Sequence, residues 1–237
     1  MILFYDTNVN LGEFELNSEE SHHAINVMRK KVGDEIWVTN GKGVMVRAVI
    51  KELKKHNLTL ETIDFFEDYK KRNYYLHIAI APTKNIDRFE WFLEKATELG
   101  IDEITPILCA NSERKIIKPD RLNKVIEAAM KQSCKAYHPK LNALEDIKSF
   151  INKNTVELRY IAHCVDSEKN NLTINLQKAE QKNLVLVGPE GDFNSQEISN
   201  ALKNQFVPVA LGNERLRTET AGVYVASVFN HYFSSNY

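Results

Sequence analysis

From about residue 75 onward, the chain alternates short apolar runs with amphipathic stretches. Tyr75–Ile80, Ile104–Leu108, Arg159–His163, Leu184–Val187 and Val207–Leu211 have the length and apolar content of buried strands. Between them, Phe89, Phe92, Leu93, Ala96 and Leu99 recur at helical spacing within 87–99, and Gly100 follows as a helix stop. Further helices are predicted over 119–135, opened by Pro119, over 194–203, where Asn194 and Glu197 form a capping-box pattern, and over 218–233. Strands alternating with helices predict an α/β fold with a parallel sheet covered on both faces.

The first part of the chain has a different grammar. Glu35–Thr39, Val44–Ile50 and Leu58–Ile63 read as strands, and Asn40-Gly41-Lys42-Gly43 reads as a hairpin turn. One helix is expected from Ser18 to Lys30, with carboxylates at its N-terminus. Short strands without intervening helices suggest a small β-barrel. The charged stretch Asp64–Asn73 lacks apolar periodicity and is read as a linker. Two domains are therefore expected, a β-barrel over 1–72 and an α/β domain over 73–237.

Composition narrows the function. The 237 residues carry a formal net charge of -1, so no global field draws nucleic acid, and any RNA binding would have to use local patches. Cys109, Cys134 and Cys164 are scattered and form no C-x-x-C pair, which argues against a disulfide framework and a structural zinc. The N-terminal residues carry no basic leader, and no apolar run has membrane-spanning length, so a cytoplasmic protein with no membrane association is expected.

The chemistry gathers in one stretch. Gly188-Pro189-Glu190-Gly191 follows one apolar run, and Leu211-Gly212 with Leu216-Arg217-Thr218-Glu219-Thr220-Ala221 follows the next. Ligands bind beyond the carboxyl ends of strands in open α/β sheets. Taken alone, the first loop reads either as a cofactor loop with backbone N–H groups facing a ligand or, more simply, as an ordinary strand-to-helix turn. It is neither a G-x-G-x-x-G dinucleotide fingerprint nor a Walker loop.

The pair of loops resembles the SPOUT class of RNA methyltransferases, and most closely the RsmE family, which methylates N3 of a uridine in 16S ribosomal RNA. Other segments extend the resemblance along nearly the whole chain: His23 to Arg29 with Val32-Gly33-Asp34, Lys84 with Glu90 and Lys95–Gly100, and Glu127-Ala128 with Lys131-Gln132-Ser133 and Pro139. One departure is visible. The family usually reads Gly-Pro-Glu-Gly-Gly, and Asp192 stands at the last position, where it is expected to help cap the following helix.

The resemblance implies a SPOUT-like, trefoil-knotted C-terminal domain and a smaller N-terminal PUA-like β-barrel that helps bind RNA. It implies S-adenosylmethionine as cofactor, S-adenosylhomocysteine as product and no metal. The cofactor would be held around Leu186, Gly188, Glu190, Gly191, Leu211, Gly212, Leu216 and Thr220. The substrate would be 16S RNA within the 30S subunit, and the protein a homodimer. Tyr224, Val225, Val228, Phe229 and Tyr232 form an apolar stripe that suits either a dimer interface or an internal core helix.

N3 of uridine must lose its proton to attack well, so a base or a stabilising cation is needed. Arg217 is the candidate for charge stabilisation, and Glu190 or Glu219 for the base; both acids also suit purely structural roles. Residues 113–140 hold eight Lys/Arg against three acids. His23, Arg29, Lys30, Arg114 and Lys131 are the RNA-contact candidates, although charge runs often serve only as solvated faces. Two other readings stand beside this one: a non-catalytic RNA-binding or ribosome-assembly protein with the same fold, and a Rossmann-type nucleotide enzyme, which the missing fingerprint disfavours.

Overall fold

The computed structural model describes residues 2–54, 57–176 and 182–234. The chain divides into two compact units, Met1–Lys71 with Glu127–His138, and Arg72–Ile126 with Pro139–Tyr237.

The first unit contains β1 (Leu3–Tyr5), β2 (Glu13–Leu16), α1 (Ser18–His22), β3 (Glu35–Thr39), β4 (Met45–Leu53) and β5 (Leu58–Phe66). The strands form one sheet in the order β1-β3-β4-β5-β2. The sheet curls around a single core, because Phe4 from one edge and Phe14 and Leu16 from the other are buried in the same cluster. Asn17 bridges those two edges. Its side-chain amide donates to the Tyr5 carbonyl at 2.9 Å, and its N–H donates to Asp6 Oδ2 at 2.6 Å. Side-chain bonds thus join edges that no strand pairing links.

The helix expected from Ser18 to Lys30 is shorter. Asn17 caps α1, and the chain then widens into a π-helical turn, His23–Val27, where Met28 N–H reaches five residues back to the His23 carbonyl. Arg29, at φ 53°, ends it. The expected linker is also shorter, since β5 runs on to Phe66. Asp64 accepts from Arg47 Nε at 2.7 Å, and Phe66 stacks on Trp37. Polar side chains on a solvent face hid this extension.

The second unit begins with β6 (Tyr75–Ile80), α2 (Ile86–Leu99) and β7 (Glu103–Leu108). Then follow α3 (Pro119–Gln132), whose last six residues belong to the first unit, β8 (Lys140–Leu141), β9 (Glu145–Asp146), α4 (Ile147–Lys153) and β10 (Leu158–Ala162). β11 (Asn170–Asn171), α5 (Leu172–Asn175), β12 (Lys182–Val187), α6 (Ser195–Lys203), β13 (Val207–Ala210) and α7 (Thr218–Ser234) complete it. The sheet order is β11-β13-β10-β12-β6-β7-β8, with β9 also on β7, and every pairing is parallel.

Period-two alternation sorts β12 between two cores. Val185 and Val187 join the cluster under α2 and α7, while Leu184 and Leu186 join the one under α4 and α6. α2 ends on Gly100, whose N–H bonds the Ala96 carbonyl, and α6 carries the full Asn194–Glu197 capping box. α3 stops at Gln132 rather than 135: Ser133 Oγ bonds back to the Ala129 carbonyl, and Cys134 adopts φ 53°.

The path after β12 positions the site. The chain runs through α6, and β13 pairs with the far side of β10 from β12. α7 then comes back to pack on α2, β6 and β12. It approaches very closely at Gly222, where an added Cβ would lie 2.6 Å from the Phe92 ring. The apolar stripe expected on α7 divides: Val225 and Phe229 are fully buried in the core, while Val228 and Tyr232 are half-buried at its margin.

Candidate functional site

Three neighbouring parallel strands, β13, β10 and β12, end side by side, so the loops that leave them converge. They enclose a cleft of about 630 Å³. His163 and Cys164 follow β10. Gly188, Pro189, Glu190 and Asp192 follow β12. Residues 211–217 follow β13, and Thr218 and Ala221 of α7 close it. Val187, Val209, Leu211, Leu216 and Ala221 supply apolar walls. Gly212 takes φ 118°, a conformation that side-chain-bearing residues rarely adopt. Thr218 Oγ1 donates a buried 2.9 Å bond to the Gly188 carbonyl, which ties the first turn of α7 to the loop after β12.

Among the candidates, Gly188, Glu190, Leu211, Gly212, Leu216 and Arg217 line this cleft together. Leu186, Gly191, Glu219 and Thr220 do not. Strand alternation turns Leu186 into the opposite core, and Gly191 faces Asn111. Glu219 is buried in the first turn of α7, with Oε1 3.8 Å from Arg88 Nε and Oε2 without a hydrogen-bond partner. Of the two acids, Glu190 alone lines the cleft. Its Oε1 accepts the Lys84 N–H at 2.9 Å, and its Oε2 is buried with no partner. Arg217 is exposed, and no hydrogen bond or ion pair engages its guanidinium among the described residues.

The RNA-contact candidates separate by environment. Arg114 is a brace: Nε donates to the Thr83 carbonyl at 2.9 Å and an Nη donates to the Lys84 carbonyl at 2.6 Å. Lys131 is half-buried and paired with Glu20 at 2.5 Å and Glu127 at 3.2 Å. His23 lies 3.7 Å from Glu20 and packs on the Phe4 ring. Arg29 is exposed, and Lys30 Nζ reaches the Glu35 carbonyl at 3.4 Å. On the basic stretch, Arg121 pairs with Glu90 and Lys140 with Glu103. Lys115, Lys118 and Lys124 are exposed and engage no acid among the described residues.

Two residues that sequence reasoning missed, Asn111 and His163, and one that it read as a helix cap, Asp192, shape the cleft. Asn111 donates through Nδ2 to the carbonyls of Gly191 and Asp192, at 3.1 and 3.0 Å. His163 is nine-tenths buried, and its Nδ1 has no partner. Burial, then Lys169, lowers its pKa, with Asp192 opposing, so the ring is neutral near pH 7. Asp192 does not cap α6, because Asn194 does. It sits at φ 62°, and its carboxylate accepts the N–H groups of Cys164 and Phe193, each at 2.8 Å. His163 ends a strand run, a weak positional signal. Nothing local marks Asn111.

A second polar cluster lies at the other end of the sheet. Glu103 accepts from Tyr75 Oη, Asn142 and Lys140, and these bonds outweigh burial to bring its pKa to about 2. Burial lowers neighbouring His77 to about 4. Among the described residues no group of three or more His, Cys, Asp or Glu side chains could hold a metal, and no helix is long and apolar enough to cross a membrane.

Comparison with known proteins gives two domain matches: an RNA methyltransferase domain over residues 70–230 and an RNA methyltransferase PUA domain over 16–63. The chain is 25% identical over 231 residues to the ribosomal RNA small subunit methyltransferase E of Bacillus subtilis, covering 92% of this chain and 90% of that one. A crystal structure of a probable rRNA-methyltransferase from Porphyromonas gingivalis superposes with a TM-score of 0.90 at 34% identity over 100% of both chains. A ribosomal RNA small subunit methyltransferase E from Neisseria gonorrhoeae, bound to S-adenosyl methionine, superposes with a TM-score of 0.86 at 25% identity over 98% of both chains.

Proposed function

We propose that this chain, which belongs to the RNA methyltransferase family, moves a methyl group from S-adenosylmethionine to N3 of a uridine in 16S ribosomal RNA of the small subunit. The observation that carries this reading is the cleft at the ends of β10, β12 and β13. Its volume suits a molecule of cofactor size, and its apolar walls and polar loop edges suit a nucleoside with a charged tail. Two buried polar atoms in its wall, His163 Nδ1 and Glu190 Oε2, have no protein partner, as expected where a ligand supplies one.

Gly188, Glu190, Leu211, Gly212 and Leu216 would hold the cofactor directly, while Leu186, Gly191 and Thr220 would support those loops from behind. When bound, S-adenosylmethionine supplies an activated methyl group on a sulfonium, and S-adenosylhomocysteine is the product. Arg217, exposed at the cleft and unpaired, stabilises the negative charge that develops on the uracil ring as N3 loses its proton. Glu190 Oε2 is the carboxylate oxygen available to take that proton. Glu219 holds the start of α7 near Arg88.

RNA would meet Arg29, Lys30 and His23 on the first unit, and Lys115, Lys118 and Lys124 on the second, each unit by local charge. The return of α7 to β6 and β12, clasped through Thr218, supports the trefoil knot expected of SPOUT proteins. The half-exposed outer face of α7 (Val223, Tyr224, Val228) supports a homodimer. A domain boundary near residue 72 and a cytoplasmic location complete the reading.

The test is methyl transfer from labelled S-adenosylmethionine to small subunits lacking the modification, with free 16S RNA alongside, followed by nucleoside analysis. Label in 3-methyluridine establishes the reaction. Label in another nucleoside overturns the site specificity, and no label with no cofactor binding overturns the enzyme reading.

A further inference from the structure

The cleft contains a polar wall to which the proposed reaction assigns no particular group of the ligand. It consists of His163, at the end of β10, and Asp192, in the loop after β12. Asp192 occupies the left-handed region at φ 62°, which glycine adopts more readily than a side-chain-bearing residue. The carboxylate nevertheless stands there in a fixed pose. Two backbone N–H groups from two different loops, Cys164 and Phe193, hold its two oxygens, each at 2.8 Å.

Those bonds use only part of the carboxylate's capacity, because its oxygens offer about four lone-pair sites. No cation neutralises it among the described residues. Lys169, which also lines the cleft, is spent on the carbonyls of His163 and Val165, at 2.9 and 2.6 Å. Beside it, His163 is nine-tenths buried with Nδ1 unpartnered. The wall therefore offers an anchored acceptor next to an imidazole that both donates and accepts. An ammonium group could only donate to it, and a carboxylate could only accept. Vicinal hydroxyls do both.

We propose that His163 and Asp192 form the subsite for the sugar hydroxyls of the adenosyl ligand. This rests on the S-adenosylmethionine reading of the cleft and assigns one of its walls.

The test uses equilibrium binding, by calorimetry, of S-adenosylhomocysteine and of its 2′-deoxy and 3′-deoxy analogues. The proteins compared are the parent, Asp192→Gly and His163→Asn. Glycine takes φ 62° without strain, so Asp192→Gly keeps the loop conformation. In the parent, loss of the hydroxyl that faces the carboxylate is expected to weaken binding by about tenfold or more, the size of a hydrogen bond to a charged group. In Asp192→Gly, S-adenosylhomocysteine itself binds more weakly, and the deoxygenation penalty shrinks to within about threefold, because the two changes remove the same bond. His163→Asn reduces the penalty at the other hydroxyl. A full penalty persisting in both variants, or no penalty in the parent, overturns the subsite while leaving the cofactor reading intact. Failure of the parent to bind S-adenosylhomocysteine at all overturns both.

Discussion

Gly222 lies inside α7, where alanine would ordinarily be the better helix former. Replacing it with alanine places a Cβ 2.6 Å from both Phe92 Cδ2 and Cε2, and 2.9 Å from Ile80 Cδ1. Carbon atoms prefer about 3.5–4.0 Å, so α7 or the Phe92 ring must give way by roughly 1 Å. Phe92 is fully buried among Phe89, Leu93 and the sheet, which leaves it nowhere to swing. Overpacking costs about 1–3 kcal/mol, a clash of this depth against a fully buried ring belongs at about 2–3 kcal/mol, and the helix propensity of alanine over glycine returns about 1 kcal/mol. The net expectation is a loss of about 1–2 kcal/mol. For a protein of this size each kcal/mol moves the melting temperature by about 2–4 °C. Gly222→Ala should therefore melt about 2–8 °C below the parent by circular dichroism or calorimetry. It should also weaken cofactor binding, because a displaced α7 pulls Thr218 from the Gly188 carbonyl. Phe92→Leu opens space at the contact, so adding Gly222→Ala to that background should cost distinctly less than in the parent, a coupling that a double-mutant cycle measures. A Gly222→Ala protein as stable as the parent, or more so, would refute the close approach of α7 to α2.

Other predictions address separate parts of the molecule. Arg217→Ala should abolish most methyl transfer while S-adenosylhomocysteine binding by calorimetry stays within about threefold of the parent, in line with losing a group that acts on developing charge. Lys131→Met leaves the buried Glu20 carboxylate without its main partner and should destabilise the protein by roughly 3–5 kcal/mol in urea titrations, whereas Lys124→Ala, on an exposed unpaired cation, should leave the urea midpoint unchanged. Acid should destabilise in two overlapping stages. His77 has a folded pKa of about 4 against 6.5, so its share of stability is present above pH 6.5 and is lost as pH falls toward 4. Glu103, at about 2 against 4.5, loses its share between about pH 4.5 and 2. His77→Gln should flatten the urea midpoint between pH 6.5 and 4 while leaving the lower stage in place.

The sequence was most legible where local and global preferences agree. β6 runs from Tyr75 to Ile80 as its apolar content implies, because a strand buried on both faces keeps an apolar run that only His77 interrupts. The Asn194–Glu197 box marks the start of α6 because both of its bonds lie within four residues. Where a contact is distant, the signal fades. Leu3–Tyr5 and Glu13–Leu16 become strands only by pairing with β3 and β5. α4 has an Asp146 cap and Ile147, Phe150 and Ile151 at helical spacing, but its seven residues are too few for the pattern to stand out. The same limit governs the site. The glycine loops could be read as cofactor loops, whereas Arg114 reads as an RNA ligand until the Thr83 and Lys84 carbonyls appear beside it. Glu219 likewise resembles a catalytic acid until the first turn of α7 rotates it out of the cleft and toward Arg88.

The bond from Thr218 to the Gly188 carbonyl also has a meaning in time. It joins the loop after β12 to the last helix of the described chain, and α7 also supplies Ala221 to the cleft wall. During synthesis, β6, β7, β10 and β12 emerge long before α7, yet the pocket has no closing wall until α7 docks. Domains generally fold as units, and α7 is the last described element of this one. A nascent chain still lacking α7 is thus expected to have no working cleft, and competence to bind a small molecule to arrive in one late step. Ligand added to stalled chains should bind only those long enough to free residues 218–233 from the exit tunnel, which makes binding a clock for the docking of a single helix.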